Sequence, residues 1–136
     1  MKLYHGSPYN FDILKPKKAK GMNKFENITG IFLTDDFFHA ALYAIGKTLK
    51  GKTTFGVSEH RLVILGNLKP KTGYVYEVEV SNPMKGHRGQ YAYKKELKPT
   101  KKTKVYPKDY AKYIVRVKSK DKLMELLRAK SKPKIC

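Results

Sequence analysis

The chain has 136 residues and carries 30 Lys and Arg against 11 Asp and Glu, a net charge of +19. That length supports one domain with a single core. No apolar run approaches the ~20 residues of a membrane span, and the start, Met1-Lys2-Leu3-Tyr4-His5, has no secretory-signal pattern. The only cysteine is Cys136, so an intrachain disulfide and a cysteine-rich metal site are excluded, and a reducing, cytoplasmic setting is expected.

The cationic excess is lysine, with arginine only at Arg61, Arg88, Arg116 and Arg128. Lysine is a point charge rather than a bidentate fork, so the excess attracts polyanions without reading their sequence. Nucleic acid, an acidic protein face and anionic lipid all satisfy it, and a merely solvated surface is the plain alternative.

In chain order, Lys2-Leu3-Tyr4-His5 reads as a short strand, ended by the turn chemistry of Gly6-Ser7-Pro8-Tyr9-Asn10. Residues 11–29 mix bases with scattered apolar residues and have no period, which predicts a long loop with a turn of helix at most. Ile31-Phe32-Leu33 is a β-like run. Thr34-Asp35-Asp36 supplies helix-capping oxygens, and a helix over about 35–50 follows. Its stripe Phe37, Ala40, Ala41 and Ala44 is apolar and mostly small, so the helix can approach its neighbour closely. Lys47, Lys50 and Lys52 suit the negative end of its dipole.

Thr53–Val57 reads as loop or weak strand and Arg61–Leu65 as a buried strand. Tyr74–Val80 alternates cleanly, the pattern of an antiparallel strand with one wet face. Gln90–Tyr93, Thr103–Tyr106 and Tyr113–Val117 add strands, with a helical turn near Pro107–Ala111. Residues 119–128 form a last helix capped by Ser119. The tail, 130–136, frays. The pattern is one α+β domain over 1–129, dominated by antiparallel strands.

Three patches stand out: Leu3-Tyr4-His5-Gly6-Ser7 on the first strand, Gly30-Ile31-Phe32-Leu33 leading into the helix, and Tyr43, eleven residues past Phe32. Taken singly they are a strand end, a buried strand and a core ring. Their order and spacing resemble the catalytic domain of ADP-ribosyltransferases, in the branch with a His-Tyr-Glu signature that includes poly(ADP-ribose) polymerases and diphtheria toxin. The rifampin ADP-ribosyltransferases are similar in size.

The resemblance implies a split antiparallel β-sandwich with few helices, and NAD as substrate. His5 would bond a ribose hydroxyl. Gly6 would clamp the nicotinamide carboxamide through its backbone, with Ser7 in support. Phe32 stands where the family usually has its first tyrosine, and Tyr43 would stack on the nicotinamide ring. The catalytic glutamate falls at Gln90, so the negative charge that steadies the oxocarbenium-like ribose is missing. Glu96, Glu77 and Glu79 are weaker candidates to replace it. Ala40 stands where polymerase-type members carry a serine.

His87 and Arg88, in the loop before Gln90, would meet the acceptor. Catalytic roles thus fall to His5, Tyr43 and Gln90, and the remaining histidines have no metal-ligand spacing. The implied activity is transfer of one ADP-ribose from NAD to an acceptor, with nucleic acid or a nucleic-acid-bound protein as the first expectation. The alternatives are a degenerate NAD- or ADP-ribose-binding module and a plain basic nucleic-acid-binding protein. An RNA 2'-phosphotransferase shares the implied fold, but it would need a second histidine motif where this chain has Gly30-Ile31-Phe32.

Overall fold

Eleven residues with an apolar, alanine-rich inner stripe set the centre of the structure. In the computed structural model, which describes residues 1–18, 28–58, 60–86 and 89–129, they form helix α1 (Phe37–Lys47). Asp36 caps it, accepting the Phe38 N–H at 2.9 Å, so the capping chemistry read in the sequence is the one used.

The strands are β1 (Lys2–Ser7), β2 (Lys17–Lys18), β3 (Thr29–Thr34), β4 (Phe55–Ser58), β5 (Arg61–Leu65), β6 (Gly73–Glu79), β7 (Met84–Lys85), β8 (Gln90–Tyr93), β9 (Lys101–Val105) and β10 (Ile114–Val117). A 3-10 helix, Pro107–Tyr113, and helix α2 (Lys120–Ala129) complete the described elements. The larger sheet runs β7-β8-β3-β1-β6-β9 with β2 paired to β3, and the smaller runs β10-β5-β4. Pairing is antiparallel except between β5 and β10, which are parallel. The architecture is mixed α+β, mostly antiparallel.

Helix α1 lies between the two sheets. Its buried Ala40, Ala41, Leu42, Ala44 and Ile45 share one core cluster with Val75 and Val105 of the larger sheet and Leu62 and Ile64 of the smaller. The approach is close on both sides. A Cβ on Gly6 would run into the backbone of Ala40 and Ala44, and a Cβ on Gly46 would lie 2.7 Å from the Phe55 ring. Glycine and alanine at these positions are what let the layers meet.

The outer face of the larger sheet buries Leu3, Ile31, Leu33, Tyr76 and Val78 beneath Leu14 and Phe11. Residues 11–18, expected as loop with a helical turn, instead cross this face as extended chain. Leu14 forms an isolated bridge with Leu97, and Lys17–Lys18 pairs with Thr29–Gly30. The burial of Leu14, at 2 % exposure, explains the difference: together with the partly buried Phe11 it anchors the segment to the sheet. Helix α2 covers the smaller sheet through Leu123, packed with Val63 and Val117, and Ser119 caps it by accepting the Lys122 N–H. The tail at 130–136 lies outside the described residues.

Candidate functional site

Strand β1 is paired along its whole length with β6, from Lys2↔Glu79 to Ser7↔Tyr74. On its other edge it meets β3 at one register point, Tyr4↔Thr34. Beyond Tyr4 the two strands part. The backbone edges of His5, Gly6 and Ser7 therefore face a gap inside the sheet, and the candidate site is built around it.

His5 bridges the gap. Its Nδ1 lies 2.7 Å from the Phe32 carbonyl oxygen. A carbonyl only accepts, so Nδ1 carries the proton and Nε2 presents a lone pair. Burial, then the charges of Lys47 and Lys17, pull its pKa down to about 4, against the opposing pull of the Phe32 bond. The ring is neutral near pH 7: an acceptor at Nε2 rather than a proton donor.

Gly6 lies against α1. Its carbonyl accepts the Lys47 ammonium at 3.2 Å, and the same ammonium stands 4.9 Å from the centre of the Tyr43 ring. Tyr43, 40 % exposed, is held from its sides by His39, nearly parallel at 6.1 Å, and by Phe55, edge-on at 6.3 Å. Gly6 and Tyr43, from distant parts of the chain, thus meet at one lysine, whose charge also acts on the His5 imidazole. That lysine read in the sequence as a helix-end cation. The overlooked signal is its spacing, four residues after Tyr43, which puts both side chains on one helix face.

The remaining expected residues fall as follows. Ser7 is buried, and its hydroxyl accepts the Tyr9 N–H at 3.1 Å, holding the turn that closes β1. Phe32 is half-buried, and strand alternation puts it on the α1 side, opposite in face to the buried Ile31 and Leu33. Gln90 opens β8, exposed, in register with Thr34, whose partner on β1 is Tyr4. Two strand spacings, about 10 Å, with β3 in between, separate Gln90 from β1, level with the last paired point rather than with the gap. The preceding turn is tied to β3 by the Asp35 N–H donating to the Gly89 carbonyl at 3.1 Å. His87 and Arg88 lie outside the described residues. Strand β8 ends at Tyr93, so Glu96 does not continue its face. Glu77 is engaged by Thr100, and Glu79 faces the N-terminal amine at 3.8 Å.

A further border of the gap was not foreseen. The Tyr76 hydroxyl donates to the Tyr9 carbonyl and accepts the Phe11 N–H, both at 2.5 Å. The loop after β1 is thereby pinned over His5. Lys17 sits above this loop, 5.7 Å from the Tyr9 ring and 5.3 Å from the Phe11 ring. The gap is thus bordered by two cations, a neutral imidazole and aromatic faces. Comparison with known proteins gives no match: no family model, no curated protein and no solved structure.

Elsewhere, a hollow of about 510 Å³ at the far end of β1, bounded by Met1, Val80, Asn82, Lys85 and Tyr91 among others, holds neither a carboxylate nor a histidine. Among the described residues no group of three or more His, Cys, Asp or Glu could hold a metal ion. No described helix is long and apolar enough to cross a membrane.

Proposed function

We propose that the chain is an NAD-dependent mono-ADP-ribosyltransferase-like protein on a split antiparallel sandwich, working in a reducing, cytoplasmic setting. The observation that supports this reading is the meeting of Gly6 and Tyr43 at Lys47, beside the stretch where β1 and β3 part and His5 bonds the Phe32 carbonyl. Those are the residues that the sequence motifs single out for a pyridine ring and its ribose.

In this reading the pyridinium displaces the Lys47 ammonium from the Tyr43 ring and takes that face, a contact favoured by the ring quadrupole. The bare Gly6 backbone receives the ring substituent. His5 Nε2 accepts a ribose hydroxyl and sets the sugar's orientation. Lys17, over the loop, meets the diphosphate. Cleaving the nicotinamide–ribose bond leaves positive charge on the sugar. Gln90, standing for the family's glutamate, offers an amide oxygen but no full charge, so turnover is slow. Polymer synthesis is not part of the proposal, because the family's glutamate is missing at Gln90. The exposed Lys94, Lys95, Lys98, Lys101, Lys102 and Lys104, all between β8 and the end of β9, support a nucleic acid or nucleic-acid-bound protein as acceptor, met through the loop bearing His87 and Arg88.

The test is incubation with NAD and measurement of released nicotinamide, in the wild type and in Gln90→Glu. Restoring the carboxylate should raise release by about tenfold or more, within the range of single electrostatic groups in transition states. Thermal stabilisation by NAD with no release in either protein would favour the second reading, a binding module of the same fold, which the loss of the glutamate at Gln90 supports. Absence of both would refute the proposal, and steep salt-dependent binding of DNA or RNA would then mark a simple polyanion binder.

A further inference from the structure

Lys47 occupies the seat that the proposed function gives to the substituent of the pyridine ring. Its ammonium donates to the Gly6 carbonyl at 3.2 Å and lies over Tyr43. The ion pairs found among the described residues join Met1 to Glu79, His60 to Asp36 and Lys122 to Glu125. None involves Lys47. The charged groups that act on it are Lys50 and Lys17, both cations, and the adjacent His5 is neutral. Among the described residues this half-buried cation, at the C-terminal end of α1, has cations and a backbone carbonyl near it but no carboxylate partner.

The chemistry of the substituent follows. A carboxamide reaching the Gly6 carbonyl brings its own N–H donors to an oxygen that already holds a charged donor. A second donor there would sit beside an ammonium of the same polarity. A carboxamide can also turn its one oxygen to the ammonium, but as a neutral acceptor, whereas a carboxylate offers charged acceptors only. It takes the ammonium as a charge-assisted partner and balances the local charge.

We propose that Lys47 is a specificity-determining residue that makes this cleft favour a pyridine dinucleotide bearing a ring carboxylate over one bearing the carboxamide. The inference rests on the reading of the cleft as a pyridine dinucleotide site. Replacing a neutral hydrogen bond by a charge-assisted one at a half-buried position corresponds to roughly a tenfold preference.

The experiment compares binding of nicotinic acid adenine dinucleotide and of NAD by calorimetry, with nicotinate and nicotinamide as ring-only probes. The proteins are wild type, Lys47→Gln, which keeps a donor without the charge, and Lys47→Met, with melting curves to establish that each is folded. The wild type should bind the acid dinucleotide about tenfold more tightly, and both variants should lose or reverse that order. Equal or tighter binding of NAD by the wild type, or a preference that survives in both variants, overturns the role of Lys47 while leaving the cleft reading intact. If neither dinucleotide nor either ring probe binds, the cleft reading fails and this inference fails with it. Should the variants not fold, the wild-type order of the four probes still decides.

Discussion

Replacing Gly6 with alanine probes the contact on which the site depends. A Cβ there would stand 3.0 Å from the Ala44 nitrogen and 3.2 Å from the Ala40 carbonyl carbon, and would press still harder on the Ala40 oxygen. All three are backbone atoms of α1, so no side chain can rotate away. Ordinary contact begins near 3.4 Å, which means that β1 and α1 must separate. Helix α1 has no slack to give, because its far side meets Phe55 and Leu62, both inside 3.0 Å of a Cβ on Gly46.

Overpacking of this kind costs about 1–3 kcal/mol, and backbone partners on one side with a filled core on the other put Gly6→Ala at about 3. For a domain of this size that lowers Tm by about 10 °C. Gly30→Ala is the internal control. Its Cβ would lie 3.2 Å from the Tyr93 oxygen with its next neighbour, the Ala92 Cβ, at 3.8 Å, and about 1 kcal/mol or less is expected. Thermal melts and urea titrations of the three proteins measure the difference. A Gly6→Ala protein melting within about 2 °C of wild type would show that β1 and α1 are not in the close contact described, and the site built on it would go too.

Two further outcomes are expected. Tyr76→Phe removes the hydroxyl that serves both Tyr9 and Phe11, leaving a backbone donor and acceptor unmatched; it should cost about 1–3 kcal/mol in urea unfolding and speed amide exchange at Phe11, and unchanged exchange there would count against the pinned loop. His5 gives a pH signature: its pKa is about 4 in the native protein against an ordinary unfolded value near 6.5. Between those values the unfolded chain binds the proton and the native one does not, so stability falls as pH drops through that window, by up to about 3 kcal/mol, and is flat above it. The difference between wild-type and His5→Gln stability curves from pH 4 to 7 isolates the term, and parallel curves would mean that His5 is not buried as a neutral ring.

The candidate site was named in the sequence through a resemblance, while its secondary structure was legible locally. His5-Gly6, Phe32 and Tyr43 were picked out by an order and spacing that resemble a family motif; singly, short-range patterns make them a strand end, a buried strand and a core ring. The cap at Asp36 and the cap at Ser119 followed from oxygen-bearing side chains ahead of an apolar period. Lys47 was passed over because a lysine at a helix end has an ordinary electrostatic explanation. Nothing local says that its four-carbon stem folds back to the Gly6 carbonyl. The loop over His5 was equally hidden, since its anchors are Tyr76, more than sixty residues away, and the single bridge Leu14↔Leu97. No spacing rule connects such pairs.

Alone, the sequence determined the kind of domain and the approximate places of most strands and helices, because alternation, helical period and capping act over a few neighbouring residues. Only the tertiary structure decided that β1 and β3 part after Tyr4, that α1 is wedged between two sheets, and that Lys47 stands between Gly6 and Tyr43. Each of these depends on how far apart packed layers come to rest, a distance set by side chains from remote segments meeting at once.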